Sequence, residues 1–197
     1  MPESSTEFAV IALVASVGGL DAVSRILGAL PDALDASVIV LIHQSPDRAN
    51  ALVELLGRRS KLPVLEAEHG MPLRSGTVVV APPGKHLLVT PDATVALIVS
   101  GAAPPSRPSA DLLLSTLAIS VGRRATAVVL SGGGHDGATG ASVIHEFGGT
   151  VIATDEASSS AFSMPQATIE RDGVIDHIVA LDEVADLLAS IVSGARL

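Results

Sequence analysis

Three residues of this 197-residue chain have the types that nucleophilic acyl transfer requires, and each stands just past a run of apolar residues. Ser16 follows Phe8-Ala9-Val10-Ile11-Ala12-Leu13-Val14-Ala15, and His43 ends Val38-Ile39-Val40-Leu41-Ile42. Asp136 lies in the glycine-rich segment after Ala127-Val128-Val129-Leu130. A serine supplies the nucleophile, and a histidine, which titrates near neutrality, takes and returns its proton. A carboxylate fixes the imidazole tautomer and stabilises the imidazolium. Glycines after Ser16 (Gly18-Gly19) and before Asp136 (Gly132-Gly133-Gly134) let backbone N–H groups face a developing oxyanion. By type and position alone, each residue also has a plain reading. Ser16 suits the cap of a following helix, His43 a hydrogen-bonded boundary residue, and Asp136 an Asx turn or the cap of the helix after it.

The elements that must position these groups are legible in the apolar pattern. Continuous rather than alternating runs suit strands covered on both faces, as in a parallel sheet. After Gly18-Gly19, Leu20, Val23, Leu27 and Leu30 recur at helical spacing until Pro31. The second strand leads into a polar loop and a helix near 48–59, and residues 63–66 predict a short strand. Runs at 78–81, 86–90 and 94–98, separated by Pro82-Pro83-Gly84 and Pro91-Asp92, predict an antiparallel meander. Residues 100–108 are loop-like and proline-rich, and Ser109 is placed to cap a helix over Ala110–Val121. Beyond Asp136 the pattern predicts a helix to about Phe147, a strand at 150–153, a serine-rich loop over 155–164 and a last strand over 174–179. A final helix follows, capped by Asp182, with Val184, Leu187, Leu188 and Ile191 on one face. The alternation predicts one α/β domain with its core at about 8–193. Its sheet is doubly wound and mostly parallel, with helices on both faces and a short antiparallel hairpin or meander extension. Functional groups of such sheets gather outside the carboxyl ends of the strands, where Ser16, His43 and Asp136 fall.

Composition removes other chemistries. Hydrophobic residues make up 48%, enough for a sizeable core, yet no stretch reaches the ~18 apolar residues of a membrane span. The acidic start Met1-Pro2-Glu3-Ser4-Ser5-Thr6-Glu7 does not fit a secretory signal, so a soluble, cytoplasmic protein is expected. The absence of cysteine excludes disulfides, thiolate metal sites and cysteine nucleophiles. A formal net charge of −9, with no Trp or Tyr and three Phe, argues against nucleic acid as a partner. The six histidines show no H-E-x-x-H spacing, and Gly132-Gly133-Gly134 lacks the Lys-Ser/Thr of a phosphate-binding loop. No metal and no cofactor are expected.

Several motifs occur together and in order: Ala15-Ser16-Val17-Gly18-Gly19-Leu20, Ile42-His43-Gln44-Ser45-Pro46 and Ala81-Pro82-Pro83-Gly84-Lys85-His86-Leu87. They continue with Arg107-Pro108-Ser109-Ala110-Asp111, Leu130-Ser131-Gly132-Gly133-Gly134-His135-Asp136-Gly137-Ala138, Asp155-Glu156-Ala157-Ser158-Ser159 and Met164-Pro165. From about Phe8 to Ile191 the chain resembles the catalytic domain of the chemotaxis protein-glutamate methylesterase/glutaminase family (CheB type). The resemblance implies a serine hydrolase that removes methyl esters from glutamate side chains of methyl-accepting chemoreceptors, releasing methanol, with some glutamine deamidation. It assigns the nucleophile to Ser16, the base to His43 and the carboxylate to Asp136, with the backbone N–H groups of Val17 and Gly133 facing the oxyanion. The order Ser…His…Asp differs from that of α/β-hydrolases, and Val14 stands where their elbow has its first glycine.

The chain departs from the family at Val17, where threonine is usual, at Gly133, where methionine is usual, and at Gln44-Ser45, where a methionine commonly precedes the proline. Gly133 keeps its N–H but holds it less firmly. These departures motivate a rival reading, an inactive or redirected homologue that acts as a signalling or receptor-binding module. A second rival is a phosphate- or nucleotide-binding α/β protein using glycine loops at helix N-termini, against which the missing Walker lysine and G-x-G-x-x-G element count. Expected partners are the cytoplasmic helices of methylated chemoreceptors and a separate receiver or methyltransferase protein. Only the residues before Phe8 precede the first strand, too few for the receiver domain usual in the family, so either a free-standing catalytic domain without a receiver or a piece of a longer chain is expected. Plain surface roles are expected of His135 and Arg107, with Lys85 and His86 opening a strand after the Pro-Gly turn. Residues 158–160 either line the cleft or form a turn.

Overall fold

Valine, isoleucine, leucine and alanine fill the central strands, and both faces of those strands are covered. The computed structural model describes residues 8–43, 51–99 and 108–194. Its strands are β1 (Ala9–Ala15), β2 (Ala36–Ile42), β3 (Val64–Glu66), β4 (Thr77–Val80), β5 (His86–Val89), β6 (Val95–Ile98), β7 (Ala125–Val129), β8 (Thr150–Thr154) and β9 (His177–Val179). Seven of them form one sheet in the order β3-β4-β2-β1-β7-β8-β9, with every pair parallel, while β5 and β6 form a separate antiparallel hairpin.

Side chains on β1 alternate between two cores. Val10, Ala12 and Val14 face α3 (Ala110–Val121), α4 (Ala138–Glu146), α5 (Ser163–Ile169) and the hairpin. Ile11, Leu13 and Ala15 face α1 (Gly19–Ala29), α2 (Leu52–Gly57) and α6 (Val184–Gly194). Each fully buried Val, Leu or Ile contributes about 1.5–3 kcal/mol, so both layers stabilise the fold. The chain leaves β1 toward β2 on one side and returns to β7 on the other. The point where the strand order reverses therefore lies at β1, and the crevice beyond its carboxyl end is where such sheets bind ligands. The hairpin is strapped to α3 by two hydroxyls: Thr116 Oγ1 accepts from the Val89 N–H at 3.1 Å, and Ser120 Oγ donates to the Val89 carbonyl at 2.9 Å.

The doubly wound parallel sheet with a short antiparallel extension agrees with the sequence reading, and four details differ. The predicted meander is a hairpin: β4 lies in the main sheet, parallel to β2 and β3, because Val78, Val79 and Val80 are buried on both faces. α5 has no counterpart in the sequence reading; its Pro165 sits in the first turn, where a missing N–H costs nothing. The last strand is confined to β9, with 174–176 outside it. Asp182 does not cap α6, since its carboxylate pairs with Arg25 on α1, and a 3-10 turn at Leu181–Glu183 leads into the helix. There the Glu183 carboxylate accepts the Ala180 N–H at 3.1 Å. Among the described residues no helix is long and apolar enough to cross a membrane.

Candidate active site

Parallel pairing alone brings Ser16 and His43 together. Ala15 is in register with Ile42 at the ends of β1 and β2, and the ladder runs one step further, with the His43 N–H donating to the Ala15 carbonyl at 3.0 Å. Ser16 and His43 thus leave neighbouring strands whose backbones lie about 4.8 Å apart. On the other side of β1 the Ser16 N–H donates to the Ser131 carbonyl at 3.0 Å, which holds the loop after β7 beside the serine. Ser16 is not the cap of α1. The N-cap is Gly18 in the left-handed region at φ 80°, and the Ser16 carbonyl accepts the Gly19 N–H at 2.9 Å. A side chain at Gly18 would also meet Ser160 Cβ at 2.8 Å, so residue 160 packs against the serine turn.

Asp136 reaches His43 from the β7–α4 loop. His43 Nε2 lies 2.8 Å from Asp136 Oδ2, with both side chains largely shielded at 15% and 16% exposure. The same carboxylate takes three more hydrogen bonds: Oδ2 from the Ala110 N–H at 2.8 Å, and Oδ1 from the Asp111 N–H at 2.9 Å and from Ser109 Oγ at 3.1 Å. Four donors on two oxygens occupy every acceptor position of a carboxylate. An ionised carboxylate only accepts, so the proton shared by this pair sits on His43 Nε2 and leaves Nδ1 as the basic nitrogen. Burial pushes the Asp136 pKa upward, but the His43 hydrogen bond, the Asp111 and Ala110 N–H groups and attraction to His43 outweigh it. The carboxyl is held below its ordinary range. Asp136 therefore neither caps the helix after it nor forms a local turn; it sits at the start of α3, 25 residues beyond its Asp111 partner in sequence. Ser109 caps α3 as its sequence predicts, accepting from Leu112 N–H, and its hydroxyl also donates to Asp136.

Glycine 132 permits the close approach. A Cβ there would lie 2.2 Å from Met164 Sδ and 2.9 Å from Ser16 Cβ. Its N–H donates to the Ala161 carbonyl at 2.9 Å, and its carbonyl accepts the Met164 N–H at 3.0 Å, so the loop is laced to the start of α5. Ser131 ties three segments together: its Oγ donates to the Val17 carbonyl at 2.7 Å and accepts the Ala161 N–H at 2.9 Å. Sequence reasoning passed over Ser131, although it stands in the same motif as Asp136. Val17 is 64% exposed on the outer rim of the serine turn, and Gly133 is exposed with open space where a side chain would go.

Of the other residues weighed from sequence, His135 and Lys85 are exposed. Residues 158 and 159 form a bonded turn, Ser158 to Asp155 and Ser159 to Thr154 and to the Asp155 carbonyl. Gln44, Ser45 and Arg107 lie outside the described residues. His86 opens β5 as expected but is wholly buried, and its Nδ1 accepts the Ser109 N–H at 3.2 Å. Among the described residues no group of three His, Asp or Glu could hold a metal ion.

Comparison with known proteins gives a consistent result. Residues 11–188 match the CheB methylesterase family. The chain is 40% identical over 181 residues to protein-glutamate methylesterase FrzG of Myxococcus xanthus, covering 92% of this chain and 54% of that protein. It is 35% identical over 189 residues to a protein-glutamate methylesterase/protein-glutamine glutaminase of Pyrococcus horikoshii, covering 94% of this chain and 51% of that protein. The chain thus spans about half the length of the curated relatives it matches. The crystal structure of the Thermotoga maritima CheB methylesterase catalytic domain superposes with a TM-score of 0.89 at 30% identity, over 95% of this chain and 100% of that one.

Proposed function

Given that this chain belongs to the CheB methylesterase family, we propose that it is a serine hydrolase acting on γ-methyl esters of glutamate side chains in chemoreceptor helices, with glutamine deamidation as a second reaction. The observation that carries this reading is the 2.8 Å contact between His43 Nε2 and an Asp136 carboxylate saturated with donors, at the strand end next to Ser16. In the proposed mechanism His43 Nδ1 takes the hydroxyl proton as Ser16 Oγ attacks the ester carbonyl carbon. The carbonyl π pair moves to oxygen, and the oxyanion is met by the N–H groups of Val17 and Gly133. Collapse expels methoxide, which leaves as methanol with the proton from His43; with glutamine the leaving group is ammonia. Water, deprotonated by the same nitrogen, then attacks the acyl-serine carbonyl; Ser16 Oγ is expelled, takes back the proton from His43, and glutamate departs. Asp136 stays ionised throughout, keeping the His43 ring oriented and stabilising its cationic form.

The natural substrates in this reading are cytoplasmic helices of methyl-accepting receptors, with the enzyme in the cytoplasm and a receiver or methyltransferase protein as a further partner. The test is methanol release from carboxyl-methylated receptor fragments by wild type, Ser16→Ala and His43→Ala, alongside labelling by a fluorophosphonate. Labelling is expected to vanish in Ser16→Ala and turnover in both variants. Equal turnover in all three proteins would overturn the assignment, and folded wild type that neither turns over nor labels would favour a binding module.

A further inference from the structure

His86 is a fully buried imidazole outside the proposed reaction, and its Nδ1 contact with Ser109 leads to the site. It stands at the first position of β5, on a hairpin bound to α3 through Thr116 and Ser120. Its Nδ1 accepts the N–H of Ser109, the N-cap of α3. That N–H lies in a residue only 1% exposed, so without an acceptor it would be a buried donor lacking a partner. A backbone N–H can only donate, so Nδ1 carries no proton. Ser109, pinned at its backbone, turns its Oγ toward Asp136 Oδ1, while the next two N–H groups of the same turn reach the two carboxylate oxygens. A continuous row of hydrogen bonds thus runs from His86 through Ser109 to Asp136 and on to His43.

We propose that His86 is a positioning residue for the hydrolysis, holding the first turn of α3 so that Ser109, Ala110 and Asp111 present their donors to Asp136 in the geometry that orients His43. This inference rests on the triad reading above and extends it to a residue that touches neither substrate nor the reacting atoms. A histidine in the segment between β3 and β4 supplies the control. His69 Nδ1 also accepts a backbone N–H, that of Leu97 on β6, at 3.2 Å, but it is exposed, and the bond joins it to the hairpin rather than to α3.

The test compares His86→Leu, His86→Asn and His69→Leu with wild type and Ser16→Ala. Asn places its side-chain oxygen near the position of Nδ1 and can still accept from Ser109, whereas Leu fills the space and accepts nothing. A misplaced catalytic group costs up to about 100-fold, so His86→Leu is expected to lower kcat by about 10- to 100-fold with KM within about two-fold. His86→Asn is expected to recover to within about five-fold of wild type, and His69→Leu to keep the wild-type kcat. The proton magnetic resonance of the His43 Nε2–H, held on Asp136, is expected to be sharp in wild type and His86→Asn and broadened in His86→Leu. Folding is followed by thermal unfolding in every variant. If His86→Leu does not fold, nitrogen resonances of the wild-type ring decide, since a protonated His86 Nδ1 at neutral pH overturns the inference and an unprotonated, hydrogen-bonded one supports it. Folded His86→Leu with wild-type kcat, or folded His86→Asn as slow as His86→Leu, overturns the inference alone. Full activity in Ser16→Ala overturns the triad and this inference with it.

Discussion

Asp111 and Asp136 exchange helices. Asp136, two residues before α4, accepts the N–H groups of Ala110 and Asp111 at the start of α3. Asp111, in the first turn of α3, accepts the N–H groups of Gly137 and Gly140 at the start of α4, at 2.9 and 2.8 Å. Each carboxylate thus neutralises the positive end of the helix that carries or adjoins the other. Gly140 makes the exchange feasible, since a Cβ there would lie 2.6 Å from Leu114 Cβ and 3.0 Å from the Asp111 backbone. The site aspartate is therefore positioned by the packing of two helices and not by its own loop alone.

This arrangement predicts that Asp111→Ala weakens both the fold and the reaction. It strands two helix-start donors, Gly137 N–H and Gly140 N–H, which costs about 1–3 kcal/mol. Gly137 adjoins Asp136 in the chain, so kcat is expected to fall as well. Urea unfolding measures the first effect and methanol release the second. A variant within about 0.5 kcal/mol of wild type, the range of an ordinary surface substitution, would show that the exchange carries no weight.

Asp136→Asn is expected to separate two contributions of one carboxylate. The amide presents an NH2 group to donors that need an acceptor and disfavours the Nε2–H tautomer of His43, so kcat is expected to fall by about 10,000-fold. Its effect on stability depends on pH with a definite sign. The native Asp136 pKa lies below its unfolded value, so the carboxylate stabilises the fold in full above the ordinary carboxyl pKa of about 3.9. That stabilisation is lost as pH falls through the depressed native pKa. Denaturant titrations from pH 7 downward should show wild type more stable than Asp136→Asn at neutrality and the gap closing in acid below that range. A gap that stays constant or widens in acid would contradict the depressed pKa.

The strand ends carrying Ser16 and His43 could be read from sequence because uninterrupted apolar runs mark strands buried on both faces, and a parallel sheet collects its strand ends on one side. The Ser109 cap was equally legible, since a cap and its N–H partner lie three residues apart. The partners of Asp136 were not, because a carboxylate before a helix is locally indistinguishable from that helix's own cap. Here its acceptors are used by a helix start 25 and 26 residues earlier. The same reason hides His86, whose polarity looks superficial next to Lys85 and whose burial is created by the docked hairpin. The place of β4 is hidden because three buried valines fit a hairpin strand and a sheet strand alike. The role of Asp182 is hidden because its partner, Arg25, is on a helix far away in sequence.

Gly133→Ala tests the proposed oxyanion donor. The backbone of Gly133 does not lie in the left-handed region and its Cβ direction is open, so alanine fits without strain. Removing the freedom of glycine in the unfolded chain is worth about 0.4–1 kcal/mol of stability. If the same restriction preorganises the N–H, the corresponding gain in kcat is about two- to five-fold. Thermal unfolding together with methanol release reads both quantities. A more stable protein with lower kcat would mean that the loop must move during turnover and that a fixed Gly133 N–H is not what the reaction uses.

Gly132→Ala should do the opposite, because the space is already taken. Its Cβ would meet Met164 Sδ at 2.2 Å and Ser16 Cβ at 2.9 Å, one neighbour flexible and the other fixed to the serine turn. Overpacking of this kind costs about 1–3 kcal/mol, and here the strain falls directly on Ser16. Shortening the flexible neighbour separates the two clashes. Met164→Ala on its own opens a cavity, since Met164 is fully buried, and destabilises by about 2–5 kcal/mol. The double variant Gly132→Ala/Met164→Ala should be more stable than the sum of the two single effects predicts, because the new methyl occupies part of the vacated space. Its kcat should nevertheless stay low, because the contact with Ser16 Cβ persists. Recovery of both stability and kcat in the double variant would show that Met164 alone demands the glycine, and that the approach of the β7–α4 loop to Ser16 is looser than these distances require.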